Sequence, residues 1–205
     1  MKVAMWSGPR NISTALMRSF ENRTDTHVTD EPFYAYFLNE SGEDHPARQE
    51  ILRDQSSDWD TVSSELIGSI PNQKQVWYQK HMAHHIFKHS DLNWTKHVVN
   101  LFLIRDPKEV IISYQKRFPL IDHMQLGYNQ QIKIIKTIAK TTGEHPIVIN
   151  AKKTTSSNGF FTGFLNLTIE SAPIIPRDRA IFPDITFVIV KVASEKKLSM
   201  ICIFY

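Results

Sequence analysis

The sequence predicts an α/β fold, a parallel sheet of about five strands with helices on both faces, and three observations lead there. Short apolar runs alternate with segments of helical periodicity from Met1 to Ala151, the pattern of right-handed strand-helix-strand crossovers. Val98 to Ile104 is apolar throughout except for Asn100, as expected of a central parallel strand buried on both faces. The opening segment passes from a strand-like run directly through a Gly-Pro turn into an amphipathic helix.

Each element has its own justification. Val3 to Trp6 is the first strand, and Ile12, Ala15, Leu16 and Phe20 recur at helical spacing behind it, with Ser13 expected as the N-cap. Thr26 to Thr29 is a short second strand that ends at Asp30-Glu31-Pro32, where the proline stops pairing. Phe33 to Leu38, His45 to Asp54 and Asp60 to Ser69 carry helical patterns. Gln75 to Gln79 is expected as the third strand and Val98 to Ile104 as the fourth. Pro107 suits the first position of the next helix, with Asp106 as its cap. Gln125 to Thr142 is a long helix and Pro146 to Ile149 the fifth strand.

Composition narrows the class. A chain of 205 residues with 41% hydrophobic and 22% charged residues is long enough for one well-packed globular domain. The net charge of +3 is spread without long basic runs, which favours small anionic ligands over nucleic acid. A lone cysteine, Cys202, excludes an internal disulfide framework, and no apolar stretch reaches membrane-spanning length. No cleavable signal is expected ahead of the first strand, so a cytoplasmic location is the default expectation.

Chemistry concentrates at the strand ends. In open parallel sheets ligands bind beyond the carboxyl ends of the strands, and Ser7 to Ser13, Asp30-Glu31, Lys80-His81 and Arg105 all fall there. The turn between the first strand and helix is an anion site by its geometry, because unpaired N–H groups and the helix dipole point at it. Arg10 and the hydroxyls of Ser7, Ser13 and Thr14 add donors. The segment lacks the second glycine and the lysine that a nucleoside-triphosphate loop uses for β- and γ-phosphates and magnesium. His81, His84 or His85, and His89 stand at helical spacing, an arrangement zinc can use. No cysteine or suitably spaced carboxylate accompanies them, so an edge of exposed histidines, with no metal, is the expectation.

Two segments resemble the sulfotransferases, P-loop-type α/β proteins that use 3'-phosphoadenosine 5'-phosphosulfate. Trp6-Ser-Gly-Pro-Arg-Asn-Ile-Ser-Thr14 is similar to that family's 5'-phosphosulfate loop. Leu103-Ile-Arg-Asp-Pro-Lys-Glu-Val-Ile-Ile-Ser113 is similar to its 3'-phosphate motif, in which an arginine and a serine eight residues later hold the phosphate. Within the family the chain most resembles the sulfotransferase-like domains fused, in some eukaryotes, to a branched-chain aminotransferase-like domain. Asp30-Glu-Pro-Phe-Tyr34 and Lys80-His-Met82 are further matches. The resemblance implies that Ser7, Gly8, Pro9, Arg10, Asn11, Ile12, Ser13, Thr14, Arg105 and Ser113 bind the sulfate donor as co-substrate, without metal.

An acceptor hydroxyl must lose its proton as it attacks sulfur, so a general base is needed near the donor. Glu31 is the first candidate, because some sulfotransferases place a glutamate just after the second strand. His81 is the second, because cytosolic members carry a catalytic histidine in a Lys-x-His motif; here Lys80 and His81 are adjacent. Lys80 is then a candidate to stabilise the leaving bridge oxygen. Three readings stay open: a sulfotransferase acting on a small-molecule acceptor, a catalytically silent nucleotide-binding module or truncated product, and a phosphotransferase, which the missing loop lysine disfavours. The resemblance covers Met1 to Ala151, taken as one domain. Residues 152–205 contain a Ser/Thr-rich linker and two β-like runs, Thr186 to Ala193 and Leu198 to Tyr205, and are expected to be an atypical, poorly ordered tail.

Overall fold

The computed structural model describes residues 1–120 and 122–151, together with the strand backbones at 187–192 and 199–204. Its strands are β1 (Lys2–Ser7), β2 (Thr26–Asp30), β3 (Val76–Met82), β4 (Val99–Ile104), β5 (Ile147–Asn150), β6 (Phe187–Val192) and β7 (Ser199–Phe204). Its helices are α1 (Ser13–Glu21), α2 (Tyr34–Ser41), α3 (Arg48–Asp54), α4 (Trp59–Leu66), α5 (Pro107–Gln115) and α6 (Tyr128–Thr142). The sheet order is β2-β3-β1-β4-β5-β7-β6. The first five strands are mutually parallel, β7 runs parallel to β5, and β6 pairs antiparallel with β7. The α/β class and the five-strand parallel sheet are therefore as expected. The two β-like runs past Ala151 fall on β6 and β7; the expectation of a poorly ordered tail covers residues 152–205, of which 152–186, 193–198 and 205 lie outside the described residues.

Strand alternation sends β1 side chains to two cores. Val3 and Met5 pack with Leu16, Met17 and Phe20 of α1 and with Tyr78; Phe20 stacks on Tyr78 at 4.3 Å. Ala4 and Trp6 face the other side, among Phe33, Leu66, Trp94, Ile134 and Ile138. Helices thus cover both faces, and burying each such large side chain contributes about 1.5–3 kcal/mol. Trp6 satisfies its indole N–H on Asn100 Oδ1 at 3.1 Å, which explains the one polar residue in an otherwise apolar strand. Because β1 lies between β3 and β4, the loops after β1, β2, β3 and β4 emerge side by side at one edge.

Three expectations need correction. Ile12, not Ser13, occupies the α1 N-cap, with φ 60° and no side-chain cap bond, and Ser13 is the first helical residue. Strand β3 continues to Met82, because Lys80, His81 and Met82 stay in register with Met5, Trp6 and Ser7 of β1. The histidines therefore do not line an exposed helix edge: His81 ends a strand and is 1% exposed, and His85, in the 3-10 turn Ala83–His85, is 2% exposed. The expected cap Asp106 is in place, accepting from the Lys108 amide at 2.8 Å with Pro107 leading α5.

Candidate active site

The β1–α1 loop is built by backbone conformations that its sequence does not favour. Arg10 and Ile12 both sit at positive φ, 62° and 60°, and for the β-branched Ile12 this is a strained state costing on the order of 1–3 kcal/mol. The first α1 amide to find a helical acceptor is that of Leu16, on Ile12 O at 3.1 Å; the earlier ones lack one by the geometry of a helix start. No acidic side chain stands in that first turn, so the helix dipole there is not neutralised from within. Asn11 is 1% exposed and clamps the loop to β4, its Nδ2 donating to Leu103 O at 3.2 Å. Its Oδ1 has no partner among the described residues. Ser7 is fully buried with its Oγ toward Met82 Sδ, 3.6 Å away, whereas Thr14 is exposed.

Beside this loop, the end of the neighbouring β4 delivers Arg105 and α5 delivers Ser113. Arg10 Nε donates to Ser113 Oγ at 3.0 Å, and an Arg105 guanidinium nitrogen donates to the Arg10 carbonyl at 3.1 Å. Arg105 Nε also pairs with Glu109 at 2.9 Å. Among the described residues no carboxylate pairs with Arg10. The two motifs that sequence reading treated separately are thus joined into one cationic wall. Tyr128 supports it from α6, its hydroxyl donating to Arg105 O at 2.8 Å, and burial with the nearby Asp106 charge pushes that phenol up to about 12.

One supporting segment was not anticipated. The turn His123–Leu126, closed by an Asp122 capping box, leads to Gly127 at φ 72°. It packs directly on the loop: a Cβ on Gly8 would lie 2.5 Å from Leu126 O, and one on Gly127 would lie 3.6 Å from Gly8 Cα. Gly8 is therefore required by close backbone approach. Gly127 falls inside the helix expected over Gln125 to Thr142; at φ 72° it ends the turn His123–Leu126, and the helix begins at Tyr128.

On the other flank, β2 and β3 converge on Lys80. Its ammonium is 2% exposed, donates to Asp30 Oδ1 at 2.7 Å and pairs closely with Glu31 Oε1. Glu31 has φ 48°, fixed by its N–H on Lys80 O and by the Tyr34 N–H on its own carbonyl, both 2.9 Å. Glu31 is thus paired with Lys80, and among the described residues its Oε2 has no partner closer than His85 Nε2 at 3.8 Å. His81 belongs to the opposite face: it stacks on Trp6 at 4.5 Å, near Trp94 and Phe33, and its pKa is lowered to about 3 by burial and by the Lys80 charge. Lys80 and Glu31 thus come together, while His81 is directed into the aromatic core. Among the described residues no group of three or more histidine, cysteine, aspartate or glutamate side chains is placed to hold a metal.

These features define an α/β protein that gathers backbone amides and cationic side chains at adjacent strand ends. The chain belongs to the sulfotransferase family: the model of its sulfotransferase domain matches residues 1–143. It is similar to two Arabidopsis thaliana proteins, branched-chain-amino-acid aminotransferase-like protein 2, at 32% identity over 146 residues, and protein 1, at 34% over 147. Each match covers 71% of this chain and 26% of the relative, so the chain corresponds to about a quarter of their length. Among solved structures, shikimate kinases from Bacteroides thetaiotaomicron and Aquifex aeolicus superpose with TM-scores of 0.45 and 0.44 at 10% identity, covering 82% and 83% of this chain and 96% of each of theirs. No helix among the described residues is long and apolar enough to cross a membrane.

Proposed function

We propose that this protein binds 3'-phosphoadenosine 5'-phosphosulfate without a metal ion and transfers its sulfuryl group to a hydroxyl or amine of a small-molecule acceptor. The observation that carries this reading is the coupling of Arg10 with Ser113 and Arg105. One ligand with two separated anionic groups can engage the α1 N-terminus and this wall together. The donor set agrees with such a ligand: free helix amides, an Arg10 with no carboxylate partner among the described residues, and no acidic residue in the first turn of α1. A sulfuryl group in transfer carries less charge than a phosphoryl group, so backbone donors and cations suffice.

When bound, the donor supplies an activated sulfuryl group. Glu31 Oε2 takes the acceptor's proton, and Lys80 holds the other oxygen so that the carboxylate keeps one orientation. Lys80 is also the cation that meets the charge developing on the leaving bridge oxygen. A second reading, a silent nucleotide-binding module, is favoured by one observation: Lys80 is already neutralised by two carboxylates.

A thermal-shift panel tests binding. Adenosine 3',5'-bisphosphate and the phosphosulfate donor are expected to stabilise the protein equally with or without magnesium. At about a hundred times Kd the gain is about 2.7 kcal/mol, roughly 5–10 °C for a chain of this size. Stabilisation by ATP with magnesium alone would overturn the proposal. Release of sulfate from the donor in a single turnover separates the enzyme from the silent module.

A further inference from the structure

His85 is a buried imidazole that the proposed mechanism has not used, and the polar group facing it is the proposed base. Its side chain is 3% exposed, and its Nε2 lies 3.8 Å from Glu31 Oε2, the oxygen that Lys80 leaves free. The ring rests against Tyr34 at 5.0 Å and Phe37 at 4.7 Å, nearly parallel to both. These contacts fix its plane. Its Nδ1 is buried and has no hydrogen-bond partner among the described residues, so the neutral tautomer that satisfies the ring carries its proton on Nε2, toward Glu31. The other titratable groups around it are Lys80 and His81 from β3, His84 in T-shaped contact at 4.5 Å, and Tyr34 from α2. Burial first, then the neighbouring His84, Lys80 and His81, holds the ring well below the ordinary histidine range, hence uncharged near neutral pH.

We propose that His85 is a positioning residue for Glu31: its neutral Nε2–H aims Oε2 at the acceptor without titrating the carboxylate. The inference rests on the reading of Glu31 as the base. At 3.8 Å the pair is longer than a formed hydrogen bond, and such contacts tighten when substrate closes the site. A protonated His85 would have the opposite effect, because a full ion pair would stabilise the carboxylate and make it a weaker base. Neutrality is therefore part of the device.

The test uses the full chain, with water as acceptor, by following donor hydrolysis. His85→Phe keeps a flat ring against Tyr34 and Phe37 and removes the donor; it should lower kcat roughly ten- to a hundredfold while the donor KM stays put. His85→Gln, which restores an N–H at about the Nε2 position, should recover most of that loss. In parallel, 15N spectra of the histidine rings should show His85 protonated at Nε2 and bare at Nδ1 from pH 8 down to pH 6. Glu31→Leu should shift that tautomer balance. Wild-type kcat in His85→Phe, equal impairment in both variants, or a tautomer indifferent to Glu31→Leu each overturns the proposal. If the wild type does not use water as acceptor, the ring spectra decide: a tautomer balance that shifts in Glu31→Leu supports the proposal, and one that does not overturns it.

Discussion

Acidification between pH 7 and pH 5 should destabilise this protein through His81, well above the range where carboxylates titrate. The ring is 1% exposed beneath Trp6, and burial with the Lys80 charge lowers its pKa to about 3, against an unfolded value near 6.5. Below pH 6.5 the unfolded chain takes up a proton there that the folded chain refuses, so stability is full above 6.5 and declines as pH falls toward 3. The slope is about 1.36 kcal/mol per pH unit, which gives roughly 2 kcal/mol at pH 5. His84, lowered to about 4 by burial and Lys80, acts in the same direction. Against a total of about 5–15 kcal/mol this is a large fraction. Urea unfolding of the wild type at pH 7 and pH 5 measures the loss, and His81→Phe, which keeps a ring against Trp6, should reduce it by about 2 kcal/mol. Equal stability of the wild type at both pH values, or an undiminished loss in His81→Phe, would refute the reasoning.

Other substitutions probe the site itself. Gly8→Ala drives a methyl group into Leu126 O, 2.5 Å away, and should cost about 1–3 kcal/mol of stability and weaken nucleotide binding, read by thermal shift with and without adenosine 3',5'-bisphosphate. Glu31→Gln should leave donor affinity intact and lower turnover roughly 10²-fold, whereas normal turnover in Glu31→Gln with a dead His81→Ala would exchange the two roles. Lys80→Met should abolish turnover and leave bisphosphate affinity within about threefold, since its partners are Asp30 and Glu31 rather than the β1 loop; calorimetry separates the two effects.

Much of the arrangement was legible because it follows from periodicity and sheet topology. Alternating strands and helices specify a parallel sheet, and a parallel sheet collects Arg10, Glu31, Lys80 and Arg105 at one edge. The details that escaped depend on register and tertiary packing. The run from Lys80 to His89 carries a helical spacing of histidines, but the ladder with β1 continues to Met82 and sends Lys80 and His81 to opposite faces. Ser13 has the chemistry of an N-cap, yet the tight path from Ser7 into α1 places Ile12 there, at a φ that its side chain resists. The contact of Gly8 with Leu126 spans more than a hundred residues and leaves no local mark except two glycines. Glu31's pairing with Lys80 likewise depends on β2 lying beside β3.

The central claim is that one ligand spans the α1 N-terminus and the wall of Arg105 and Ser113. Isothermal titration of adenosine 3',5'-bisphosphate and of ATP into the metal-free protein, repeated with Arg105→Ala, tests it most directly. The wild type should bind the bisphosphate at least about tenfold more tightly than ATP, and Arg105→Ala should remove about 1.5–3 kcal/mol, roughly ten- to a hundredfold in affinity, from the bisphosphate. Equal affinity for the two nucleotides, or bisphosphate binding that ignores Arg105→Ala, would contradict the account.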